Sequence, residues 1–189
     1  MSLALPLLIG LGLSLLLGGS LRRLADLRLR SVWIFYAAIA MQVVAFPVES
    51  LPWRTPDDVA KALWLASDAL IAVAAARNLR IPGVPLVAAG LVSNLAAVLS
   101  NGGHMPVRAA AMRAAGYDYS VHNNSAALAS PHLSWLIDRW AAPGWIPFAN
   151  VFSVGDVLIA LGGFVFAVAA TGAVASLRAR VGRPGTIPA

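Results

Sequence analysis

Five long apolar runs, each closed by proline, glycine or charged residues, divide this chain: Leu3 to Leu17, Val32 to Val48, Val59 to Ala76, Val84 to Ser100 and Asn150 to Leu177. As helices they are long enough to cross most of a bilayer's hydrocarbon core. Val84 to Ser100, for example, spans about 26 Å at 1.5 Å per residue. The pattern predicts an all-α, polytopic membrane helix bundle with about five transmembrane helices and a single domain over residues 1–189.

The segments between the runs carry the signals of turns and surface helices. Gly18, Gly19 and Ser20 interrupt the chain before LRRLADLRLR, in which Leu21, Leu24, Ala25 and Leu29 share one helical face and Arg22, Asp26 and Arg30 another. This spacing suits a short helix lying on an anionic surface. Pro56, Asp57 and Asp58 start the third run with acid in its first turn, which favours a helix N-terminus. Residues 101–149 form the longest polar region. There Asn101, Gly102 and Gly103 make a turn, Pro106 suits the first position of a new helix, and VRAAAMRAAG is a short interfacial helix stopped by Gly116. Trp135, Trp140 and Trp145 place the rest of this loop at headgroup level.

Composition sharpens the class. The 189 residues are 59% hydrophobic and 12% charged, with mean hydropathy +0.77, whereas a soluble domain is nearer ~25% charged. The net charge of +6 is distributed as membrane orientation requires and is read as topology; no nucleic-acid partner is expected. Arg22, Arg23, Arg28, Arg30, Arg77, Arg80, Arg178, Arg180 and Arg183 fall on one side of the five runs, and Arg54, Lys61, Arg108, Arg113 and Arg139 on the other. The positive-inside rule then gives an N-out, C-in protein with its long loop outside. The basic residues follow the first apolar run, opposite to a cleaved signal peptide, so that run is expected to be retained as a helix. The chain has no cysteine, which removes disulfides and thiolate chemistry.

Three polar residues lie at similar depth in the outer half of different runs: Asp68, Asn94 and Asp156. A charged group in a bilayer costs at least ~2.5 kcal/mol on insertion scales and is expected to face the bundle interior. The three are expected to converge, with Gln42 and Ser67 beside them. Interhelical hydrogen bonds that only fix packing would explain them equally well. Apart from Lys61, at the start of the third run, no basic residue lies within a run to neutralise the acids. Gly155, Gly162 and Gly163 leave one face of the last helix without side chains, so that a neighbour can approach closely. In the outer loop, Asn101, Gly102, Gly103 and His104, together with Arg139 and Ser153, complete the candidate polar site. The spacing of His104, His122 and His132 matches no short metal motif, even with Asp118 or Asp138 nearby, and no metal or cofactor is expected. Serine-hydrolase, P-loop and dinucleotide motifs are absent.

The stretches SNGGHMPV, VFSVGDVLIALG and GGSLRRLADLRLR together resemble an uncharacterised family of small multi-pass bacterial membrane proteins. This implies the bacterial inner membrane and supplies no activity. The segment IPFANVFSVGD is in turn similar to the outer end of the last helix in lipoprotein signal peptidases, where an FNxAD stretch carries a catalytic aspartate. Phe152 and Asp156 match its ends, Ser153 replaces its asparagine and Gly155 its alanine, and that family has four helices. That resemblance implies an aspartyl dyad of Asp156 with Asp138, or alternatively with Asp68, acting at the outer leaflet on a lipid-anchored or membrane protein. One carboxylate would serve as base and the other, protonated, would polarise the scissile carbonyl. The competing readings are a non-catalytic assembly or partner-binding subunit and, less favoured by five spans without repeats, a carrier.

Overall fold

Helix formation follows the apolar runs closely. The computed structural model describes residues 4–47, 53–116, 125–126, 128–143, 145 and 151–181. Its helices are α1 (Ala4–Leu16), α2 (Leu21–Ala25), α3 (Val32–Ala45), α4 (Asp57–Ala76), α5 (Val84–Ser100), α6 (Ala109–Ala114), α7 (Val154–Ala170) and α8 (Ala173–Val181). One of them, α4, is long and apolar enough to cross a membrane; α1, α3, α5 and α7 are apolar but shorter.

Several boundaries depart from the sequence pattern, each for a local reason. The last run divides at Thr171 and Gly172, where Gly172 adopts φ +72°, so α7 stops at Ala170 and does not reach Leu177. It also begins at Val154, which places Asp156 in its first turn and not two turns deep. Helix α2 is five residues long, leaving Asp26 and Arg30 beyond it, so the expected charged face does not form. Pro106 does not open α6. It sits in a strand, and Arg108 is the residue before the helix. The chain is mostly helical, as the pattern predicts, with four two-residue strands among the described residues at the loop end: β1 (Met105–Pro106) pairs in parallel with β2 (Ser125–Ala126), and β3 (Trp140–Ala141) pairs antiparallel with β4 (Val151–Phe152). Pieces this short carry no readable alternation.

The helices pack in the order α3, α4, α5, α7, α1. Their relative directions follow from cross-contacts. Gln42 meets Ser67 and Arg30 meets Asn78, so α3 and α4 are antiparallel. Lys61 reaches His104, at the far end of α5 from Gly83, which sets α4 against α5. Gly90 faces Gly155 and Gly83 faces Gly162, which sets α5 against α7. Gly10 lies on Phe164 and Gly19 on Thr171, so α1 runs parallel to α7. The five long helices therefore alternate in direction along the chain.

The α5–α7 contact is made backbone to backbone. A Cβ on Gly155 would lie 2.7 Å from the Gly90 carbonyl oxygen, and one on Gly162 would lie 2.6 Å from that of Gly83. Only glycine fits such a crossing. Elsewhere the interior is filled by small side chains. Ala38, Ala74 and Ala97 are fully buried, as are Ser14, Ser67, Ser153 and Thr171, while Leu16, Trp33 and Tyr36 are 82%, 66% and 68% exposed. At the loop end, Ala97, Val98, Met105 and Leu136 form one buried cluster and Val107, Ala111, Met112 and Val151 another.

Two buried asparagines tie loops to helix ends in the same way. Asn101 donates from Nδ2 to the Ala97 carbonyl at 2.7 Å and to the His132 carbonyl at 2.9 Å, and its Oδ1 accepts the His132 N–H at 2.8 Å. At the opposite end, Asn78 donates to Ala74 O at 2.8 Å and Arg30 O at 3.0 Å, and accepts the Arg30 N–H at 2.8 Å. Each amide thus satisfies a carbonyl four residues back in its own chain and both backbone groups of a distant residue.

Gly155→Ala and Gly162→Ala are each expected to destabilise the purified protein by about 1–3 kcal/mol, the usual cost of overpacking. Gly12→Ala, on α1 with open space around it, should leave the thermal midpoint unchanged or raise it. Equal effects at all three positions in a thermal-unfolding series would remove the special status of the α5–α7 crossing.

Candidate functional site

The close approach of Gly90 and Gly155 brings the side chain of Asn94, one turn beyond Gly90 on α5, onto the first turn of α7. The start of α7 is a capping box. Ser153 precedes the helix with extended backbone, its Oγ accepts the Asp156 N–H at 3.1 Å, and the Ser153 N–H donates to Asp156 Oδ2 at 2.9 Å. Such a box satisfies two of the donors that a helix N-terminus leaves free, and it is worth about 1 kcal/mol. Carboxylate in the first turn also meets the positive end of the helix dipole.

Asn94 closes the arrangement from the neighbouring helix. Its Nδ2 donates to Asp156 Oδ1 at 3.1 Å, and its Oδ1 lies 2.9 Å from Ser153 Oγ. Ser153 Oγ is also 2.9 Å from Asp156 Oδ2. The single hydroxyl proton serves one of these two acceptors at a time, so the three side chains form a ring in which a proton position is shared. Both carboxylate oxygens of Asp156 are engaged.

Asp138 reaches this site through the short strands. Its N–H donates to Pro106 O at 3.0 Å and its carbonyl accepts the Arg108 N–H at 2.8 Å, which fixes it beside Val107. The next residue, Arg139, donates its N–H to Phe152 O at 3.1 Å, immediately before the Ser153 cap. The Asp138 side chain is buried, and its carboxyl pKa is pushed up to about 7, first by burial and then by the charge of Asp156. The structure therefore brings Asp138 within electrostatic reach of Asp156.

The other expected site residues separate into different groups. Asp68 faces α3, where Gln42 Nε2 lies 3.5 Å from its Oδ1 and 3.1 Å from Ser67 Oγ. No hydrogen bond among the described residues joins this pair to Asn94 or Asp156, so the three-helix convergence reduces to two helices and a loop. His104 Nε2 stands 3.3 Å from Lys61 Nζ, and its Nδ1 is buried without a partner among the described residues. Gly102 and Gly103 take φ +69° and +82° in the turn before it. Asn101 holds the His132 backbone, and Arg139 lies 5.5 Å from the Trp140 ring centroid. Among the described residues no group of three His, Asp or Glu side chains could hold a metal ion; Asp118 and His122 lie outside them.

Lys61 and Asn78 belong to the structure's polar framework but carry no motif. The equal seven-residue spacing of Gly83 to Gly90 and Gly155 to Gly162 was the available sequence signal for the α5–α7 contact. A family match over residues 26–168, most of the chain, including α3 to α6 and all but the last two residues of α7, decides its affiliation. The chain belongs to DUF5317, a family of unknown function. The DUF5317 match contains Asn94, Asp138, Ser153 and Asp156 and leaves α1, α2 and α8 outside. No curated protein and no solved structure matches the chain.

The raised Asp138 pKa has a definite sign in stability. Below about pH 4 the carboxyl is protonated in folded and unfolded chains alike. Between there and about 7 only the folded chain keeps the proton, so stability falls as pH rises, by at most roughly 4 kcal/mol in all. Asp138→Asn should flatten the dependence of the thermal midpoint on pH between 4.5 and 7.5. An unchanged slope in that variant would show that Asp138 is not the titrating group.

Proposed function

We propose that the chain is a five-span, N-out, C-in protein of the bacterial plasma membrane that works as a non-catalytic assembly or partner-binding subunit. The observation that carries this reading is the inverted distribution of side chains. The largest fully buried side chains are Thr171, Pro106, Ser14, Ser67 and Ser153, while leucines, valines and aromatics crowd the exposed lateral surface. A soluble protein buries its large apolar residues and rarely exposes a continuous apolar girdle. A bundle in lipid packs small residues inside and uses Ser, Thr and Asn between helices. The alternation of helix direction supports an odd number of passes between an outer start and an inner end.

The hydrogen bonding of Asp156 supports a holding role over a chemical one. Both oxygens are occupied by Ser153 and Asn94, which fasten the last span to its neighbour and to the loop that ends at Phe152. Above this lock, Trp135, Trp140 and Trp145 are exposed on the loop, suited to the headgroup level or to a membrane protein partner. A second reading, an aspartyl-type hydrolase resembling lipoprotein signal peptidase, is favoured by one observation: Asp138 is buried within electrostatic reach of Asp156.

The lock predicts that Asp156→Asn folds with near-normal stability, since Asn94 can turn its amide to complete the ring. Asp156→Leu leaves the Ser153 N–H and the Asn94 amide without acceptors and should cost about 1–3 kcal/mol for each. A thermal midpoint that drops equally in both variants would overturn the holding role. A cellular phenotype lost in both Asp156→Asn and Asp138→Asn, with stability retained, would favour the hydrolase.

The absence of native cysteine gives a clean test of topology. A cysteine placed at His132 should be labelled by impermeant maleimide from outside intact cells, and one placed at Leu79 only after permeabilisation. The reverse result would invert the orientation.

A further inference from the structure

At the end of the bundle opposite to Asp156, four arginines from two segments surround one cavity. Arg28 and Arg30 follow α2, and Arg77 and Arg80 follow α4; together with Asn78 they line a space of about 320 Å³. The cavity is built, because buried Asn78 clasps both backbone groups of Arg30 and so fixes one arginine pair against the other. None of the four arginines makes an ion pair with a carboxylate among the described residues. Four exposed arginines lining one cavity, without acid partners among the described residues, suit an anion with several oxygens, and phosphate is the group that guanidinium donors match best.

The second observation is what adjoins the cavity. Ala76 and Leu79 line it and also line a groove of about 660 Å³, whose other walls include Ala89, Val92, Trp135 and Leu158. The groove is almost entirely apolar and is lined by several alanines of α4 and α5. A basic cavity that continues into an apolar groove along the bundle has the shape and polarity of an amphiphile.

We propose that this composite surface binds an anionic phospholipid, with the headgroup phosphate among Arg28, Arg30, Arg77 and Arg80 and one acyl chain along the α4–α5 groove. The site rests on the membrane-spanning reading and adds a ligand class to it. Both shared residues lie where headgroup would meet acyl chain, which is the placement a phospholipid requires. The occupant is committed by charge: a zwitterionic headgroup would bring a fifth cation into a cavity lined by four.

The test uses the full-length protein purified in non-ionic detergent, with thermal unfolding followed on addition of phosphatidylglycerol, phosphatidylcholine of the same chains, or inorganic phosphate. Phosphatidylglycerol near 100 times its Kd should raise the midpoint by about 5 °C or more, and the other two should not. Arg77→Gln with Arg80→Gln should abolish the shift, and Ala89→Trp, which fills the groove, should reduce it. Arg22→Gln with Arg23→Gln removes the same charge outside the cavity and should leave the shift intact. An equal response to phosphatidylcholine, an equal response to inorganic phosphate, or equal loss in both arginine pairs would overturn the proposal in favour of a detergent-like, bare-anion or diffuse electrostatic effect. Release of the chain from membranes by alkaline carbonate would remove the membrane reading itself. Retention without a phosphatidylglycerol preference would remove only the lipid site.

Discussion

The arrangement depends on one close contact, the glycine-to-glycine crossing of α5 and α7. Glycines seven residues apart on each helix meet in antiparallel register, Gly83 with Gly162 and Gly90 with Gly155. The backbones then approach closely enough that a short amide, Asn94, spans from one helix to the cap of the next. A Cβ on Gly155 would overlap the Asn94 Oδ1 atom as well as crowd the Gly90 carbonyl. Packing and polar lock are therefore coupled. Widening the crossing withdraws Asn94 from Asp156, and losing Asn94 leaves a buried serine and carboxylate short of partners.

The two ends of the bundle are secured by a shared device. Asn101 at one end and Asn78 at the other each bond the carbonyl four residues earlier and both backbone groups of a residue in a distant segment. An amide is suited to this because it carries a donor and an acceptor side by side, as a peptide group does. A carboxylate or hydroxyl in its place would leave one of the backbone groups unmet. Asn101 thereby sets the start of the segment that carries Leu136 into the core and Asp138 towards Asp156. Asn78 does the same for the segment that carries the arginines.

The sequence pattern located the five long helices to within a few residues at most ends, because apolar runs and their Pro and Gly boundaries are local signals. It also singled out Asp156, Asn94, Ser153 and Asp138, which the structure gathers. Asp68 shows what such counting omits. Depth along a helix can be measured from its ends in the sequence, but rotation about the axis relative to a neighbour cannot, and Asp68 faces Gln42 on α3 instead of α7. The apolar run overstates the depth of Asp156, because Val151 and Phe152 are extended yet apolar enough to look helical. The short strands escaped detection because two residues contain no period. Asn78 sits in a basic turn, where an amide passes for solvated surface.

The charge distribution agrees with the helix directions in a way that neither requires alone. With five long helices alternating, α1, α4 and α7 end where the arginines lie, while α3 and α5 begin there. Each C-terminus presents unsatisfied carbonyls equivalent to roughly half a negative charge, and each N-terminus the opposite. Three ends against two leave that face net negative in backbone terms, so the cations following α1 and α4 offset it. At the other face the imbalance is reversed, and the carboxylates of Asp57, Asp58 and Asp156 occupy first turns there. An odd number of helices thus makes arginine at one end and aspartate at the other favourable for each helix locally, independently of what the charges meet outside. The same arrangement leaves the arginine cavity without a lining acid among the described residues, since the acids that stabilise helix starts are gathered at the far end.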